Sequence, residues 1–126
     1  MKQNNFRHLY VAAHEAGMSA GEACNPMPMV VQQRANVMDD NSPVVRQDYV
    51  ADGVCGFAWV VVRPGNSAFA RWLKEHSLAR PHYAGGVSIW VTTFGQSMQR
   101  KEAYARAFAK VLQDNDIKAN AESRMD

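Results

Sequence analysis

The run VCGFAWVVV, Val54 to Val62, is apolar without a break. Asp52-Gly53 stands before it and Arg63-Pro64-Gly65 behind it, so turn formers bound it at both ends. It is too short for an amphipathic helix and rich in valine and aromatic residues, which predicts a strand covered on both faces. Such a strand needs neighbours on both edges and helices over at least one side. Arg63-Pro64-Gly65 then turns the chain, and Asn66 or Ser67 can cap a helix through His76 that buries Phe69, Trp72 and Leu73.

The rest of the chain keeps that rhythm. Gly85-Gly86 precedes a second strand, Val87 to Thr93. A helix follows over Ser97 to Gln113, with Tyr104, Ala107, Phe108, Val111 and Leu112 inward and Asn115 as its left-handed terminator. From Ile117 to Met125, apolar residues alternate with Lys118, Asn120, Glu122 and Arg124, the pattern of a strand with one wet face.

Upstream, Phe6, Leu9, Tyr10, Ala13, Gly17, Ala20 and Cys24 recur at helical spacing, predicting a helix over Asn5 to Cys24. Gly17 and Gly21 on that face suggest close approach to the sheet, since glycine is otherwise costly in a helix. Asn25-Pro26-Met27-Pro28 stops it, Met29 to Gln32 reads as a short strand, and Gln33 to Asp52 reads as a long surface loop. The expectation is one α+β domain over residues 1–126. An N-terminal helix precedes a strand-helix-strand-helix-strand unit, with the helices packed on a small mixed sheet. A chain of 126 residues is the right length for one core.

Composition removes several function classes. Charged residues make up 21% and the formal net charge is +2, too balanced for a dedicated polybasic binder. Cys24 and Cys55 form no CxxC pair, and His8, His14, His76 and His82 fall in no metal-ligand spacing, so neither a metal nor a cofactor is expected. The N-terminus MKQNNFRHLY lacks the apolar core of a signal peptide, and no stretch is long enough to span a membrane. A cytoplasmic protein with reduced cysteines is expected.

Five local patterns invite a chemical reading. Cys55-Gly56-Phe57-Ala58-Trp59-Val60-Val61-Val62 matches the middle of the RNA-stacking strand of RRM domains, with Phe57 and Trp59 on one face. It lacks that motif's leading basic residue and outer aromatic, which favours Phe57 and Trp59 as core residues. Cys55 would need a base such as His76 or His82 to act as a nucleophile, and a small buried hydrophobe is the simpler role. Arg100, Lys101, Arg106 and Lys110, with Lys118 beyond, make the late helix basic, although interleaved carboxylates oppose them. Finally, Arg63, Asn66 and Ser67 at a helix start could hold an anion. His82, Tyr83 and Trp90 around Gly85-Gly86 could face a ligand.

The stretches AAHEAGMSAGEA, DGVCGFAWV, RPGNSAFARWL, GGVSIWV, SMQRKEAYARAFAKVL and ESRMD together resemble small accessory proteins of bacterial phages and mobile elements, a group without an assigned activity. The resemblance implies a protein that binds a host factor, nucleic acid or defence component, and carries over no catalytic residue. The leading expectation is therefore a binding protein acting through a protein partner or through its own oligomer. The alternative is a nucleic-acid binder using the 97–113 helix and strand aromatics. An enzyme ranks last, since no acid–base pair, metal set or nucleophile constellation emerges.

Overall fold

The computed structural model describes residues 3–34, 44–50 and 53–126, with side chains described over 5–28 and 53–126. In chain order the elements are α1 (Gln3–Ala23), β1 (Met29–Arg34), β2 (Val44–Val50), β3 (Gly56–Arg63), α2 (Ala68–Glu75), β4 (Arg80–Pro81), β5 (Val87–Trp90), α3 (Met98–Asp114) and β6 (Lys118–Met125). The expected α+β arrangement with an N-terminal helix is present. No described helix is long and apolar enough to cross a membrane.

The segment expected as one loop from Gln33 to Asp52 is corrected. Gln33 and Arg34 end β1, and Val44–Val50 is a strand paired antiparallel to it, with an irregularity between Gln33 and Arg34. Residues 35–43 and 51–52 of that expected loop lie outside the described residues.

The larger sheet runs β4-β5-β3-β6 and is antiparallel throughout rather than mixed. The cause is β4, two residues long and silent in any periodicity. It returns the chain from α2 before β5, so β5 enters antiparallel to β3. From β3 onward the connectivity is β-α-β-β-α-β with the first and third strands central, the split β-α-β plan.

Hydroxyl caps start both later helices. Ser67 Oγ accepts from Ala70 N at 3.3 Å and Ser97 Oγ from Arg100 N at 3.3 Å. Asn115 ends α3 with φ −109, while the left-handed position is Asp116 at φ 62. The expectation placed that conformation one residue early.

All three helices contribute to one core. Ala58, Val60 and Val62 of β3, Val87 and Ile89 of β5 and Ala119 of β6 meet Phe69, Trp72, Leu73, Tyr104, Phe108 and Leu112, all buried. Phe6 lies 5.4 Å from Phe69, and Tyr10 lies 5.5 Å from Phe108, between ring centroids. Such pairs add stability beyond the area they bury. The α1 glycines approach α3 and its leading loop rather than the sheet. A Cβ at Gly17 would stand 2.6 Å from the Tyr104 ring, and one at Gly21 would come closer still to the Phe94 ring.

Candidate functional site

Three helices on one face leave the other face of the sheet to the odd residues of β3. Register aligns the strands. Trp59 stands opposite Trp90 of β5 and Glu122 of β6, Phe57 opposite Arg124, and Val61 opposite Ser88 and Asn120. Residues directly opposite in antiparallel strands share a face, so Phe57, Trp59, Trp90, Glu122 and Arg124 all lie on this open side.

The hydrogen-bond phase of the ladder then sets the spacing. Ala58 O accepts from Val91 N at 3.0 Å, so the even residues of β3 bond to β5. Trp59 and Trp90 therefore form a non-hydrogen-bonded pair, where side chains come closest. Their rings stack at 4.8 Å with 25° between planes, and Phe57 meets Trp90 edge-on at 6.0 Å. Trp59 is buried, whereas Trp90 remains 43% exposed.

Glu122 holds this arrangement from the β6 side. Its Oε1 accepts from Trp59 Nε1 at 2.9 Å, and His82 Nε2 lies 3.6 Å from the same oxygen. His82 reaches it from the tight turn between β4 and β5, where its backbone N–H donates to Gly86 O at 2.9 Å. Gly86 (φ 79) is required there, because a Cβ would stand 2.5 Å from Val62 O. Tyr83, next in that turn, is 94% exposed, with its ring 4.6 Å from that of His82.

The result is an open groove of about 810 Å³ lined by Trp59, His82, Tyr83, Trp90, Glu122 and Arg124 among others. Trp90 and Ser88 also line an adjoining cavity of about 350 Å³, whose wall includes Arg80. By register Arg63, Arg80, Lys118 and Arg124 belong to this side of the sheet, with Arg63 and Lys118 at its far end. Among the described residues of the four strands, Glu122 is the one carboxylate on this side. The Arg124 guanidinium lies 5.6 Å from the Phe57 ring centre and Lys101 Nζ lies 5.5 Å from it. Exposed aromatic faces flanked by cations can stack a planar ligand and neutralise its negative charge.

The residues singled out from the sequence are distributed unevenly. His82, Tyr83 and Trp90 converge in the groove. Ser67 is occupied as a helix cap, Asn66 is exposed in the same turn, and Arg63 with Ser67 lines a separate cavity of about 360 Å³ beside Phe6, Phe69 and Lys118. The basic residues of α3 are not gathered. Arg100 Nη1 donates to Gly21 O at 2.9 Å and Glu22 O at 3.3 Å, closing the end of α1. Lys101 is buried, Arg106 pairs with Glu102 and Lys110 with Asp114, each at 3.3 Å. Lys118 is exposed on β6.

Two expectations change. Cys55 is exposed rather than a small buried hydrophobe, because it precedes β3, where its backbone meets Ser97 in an isolated bridge and accepts from Asp126 N. Trp59 is buried as expected of a core residue and Phe57 is half-buried, but both face away from the helices. Glu122 is a groove residue that sequence reasoning did not single out, although its place beside Arg124 on the wet side of an alternating strand was the available signal. Among the described residues, no group of His, Cys, Asp and Glu is arranged to hold a metal ion. No protein-family model, curated protein or solved structure matches this chain.

Proposed function

We propose that this chain is a binding domain that takes single-stranded nucleic acid across the open face of its sheet. The observation that carries the reading is the Trp59–Trp90 stack, with one ring exposed, set in a groove between Arg80 and Arg124. Bases stack on Trp90 and Tyr83, which is sequence-tolerant because every base has a π-face. Arg80, Arg124 and Lys118 meet the backbone phosphates. Glu122 opposes an anion least when its charge is engaged, and Trp59 Nε1 and His82 both approach it. Arg106 and Lys110 of α3 take no part, since they pair within the helix, and Arg100 closes α1.

Fluorescence anisotropy with labelled mixed-sequence DNA and RNA single strands, titrated with salt, tests the reading. Binding should weaken as salt rises, and Arg80→Ala with Arg124→Ala should flatten that slope. Trp90→Ala should weaken binding by roughly five- to 150-fold, the loss of one stacking platform. Absence of binding, or binding unaffected by Trp90→Ala, sinks the reading. Binding of a protein in place of the oligonucleotides would return the groove to a protein partner.

A further inference from the structure

We propose that two copies of this chain pair antiparallel through the outer edges of their β6 strands, joining the two sheets into one. In the strand order β4-β5-β3-β6, β6 is an edge, and no described strand pairs with its outer side. It is long for an edge, Lys118–Met125, and carries neither proline nor a register shift against β3. Edges of that kind template the addition of another strand unless something blunts them.

The ladder phase identifies which backbone groups face out. Asp126 N donates to Cys55 O at 3.1 Å, so the even residues of β6 bond inward to β3. Ala119, Ala121, Ser123 and Met125 therefore present their N–H and C=O outward. The Ala119 carbonyl is already engaged by Gln113 Nε2 at 2.6 Å. What remains is the stretch from Ala121 to Met125.

Only outward residues can pair with outward residues, which leaves few registers. A two-fold axis at Ala121 would oppose Lys118 to the partner's Arg124, and an axis at Glu122 would oppose two carboxylates. An axis at Ser123 avoids both conflicts. It pairs Ser123 with the partner's Ser123, and Ala121 with the partner's Met125. It also sets Glu122 opposite the partner's Arg124 on the open face, and the reverse. Cross-strand opposite charges are favourable and like charges unfavourable. This register also covers Met125, whose side chain is 67% exposed on the helix side. An axis at Asn120 would pair Lys118 with the partner's Glu122, but it would use the occupied Ala119 carbonyl and leave Met125 bare.

The pairing is independent of any nucleic acid, so it is tested without one. Sedimentation equilibrium over a concentration series should show a monomer–dimer equilibrium. Ser123→Pro removes an outward N–H without touching the β3 ladder, as edge strands tolerate. It should weaken dimerisation at least about tenfold, equivalent to about 1.4 kcal/mol. Hydrogen exchange on the unmodified protein gives a second readout that survives any folding defect of the variant. The amides of Ala121, Ser123 and Met125 should gain protection as concentration rises, while those of the even residues stay protected throughout. A monomer mass at every concentration, a dimer indifferent to Ser123→Pro, or concentration-independent exchange at those amides would overturn the proposal.

Discussion

Trp59 and Glu122 face each other across β3 and β6, and the indole N–H donates to the carboxylate at 2.9 Å. Because Trp59 is buried beneath Trp90, this bond settles the one polar atom of a large apolar ring on the open face. A strand side that would otherwise read as exposed hydrophobe becomes an ordered wall.

Replacing Glu122 should expose that dependence. Glu122→Ala leaves the indole N–H without its partner and releases His82, a loss of about 1 kcal/mol for a part-buried bond. Glu122→Gln keeps a side-chain oxygen acceptor and should cost only about a few tenths of that. Urea unfolding followed by tryptophan fluorescence measures both. Equal losses for the two variants would mean that the bond contributes nothing.

The features legible in the sequence were those with local causes. β3 announces itself through unbroken Val and aromatic residues, and α2 and α3 through Ser67 and Ser97 before their apolar periods. β6 shows its wet face by alternation. β4 could not be read, since Arg80–Pro81 is too short to carry a period. The facing of Phe57 and Trp59 was equally hidden, because a strand apolar on both sides carries no inward or outward signal. Their partners Trp90 and Glu122 are set by register, which depends on the whole sheet. Arg100 looked like a surface cation for the same reason, until α1 was placed beside it.

The two α1 glycines should respond differently to alanine, against their distances. A Cβ at Gly21 meets the outer atoms of the half-buried Phe94 ring, whose loop can give way. One at Gly17 meets Tyr104 at 2.6 Å, and that ring is buried, stacked on Phe108 at 5.8 Å and bonded to His14. Overpacking costs about 1–3 kcal/mol, against a gain of about 1 kcal/mol from helix propensity. Gly17→Ala should therefore be destabilising, by up to about 2 kcal/mol, and Gly21→Ala close to neutral, as read by chemical denaturation. The reverse ranking would mean that α1 slides on α3 more readily than its loop moves.

The same Tyr104 should make the fold sensitive to alkali. Burial raises its hydroxyl well above the ordinary tyrosine value of 10.0, and the neighbouring Tyr10 raises it further. Tyr10 is itself raised by burial. A tyrosine raised in the folded state keeps its proton there while the unfolded chain loses it. The folded form thus binds more protons above pH 10, and stability falls as pH rises. Below that value the contribution is fully present, so neutral pH should show no slope from this residue. Unfolding followed by circular dichroism through the alkaline range, alongside tyrosinate absorbance, should show Tyr104 ionising together with loss of structure. Tyr104→Phe removes the ionisation while sacrificing the bond to His14, so it should be less stable at neutral pH yet lose less stability on going alkaline. If the variant's stability falls as steeply as the parent's above pH 10, other groups cause that sensitivity.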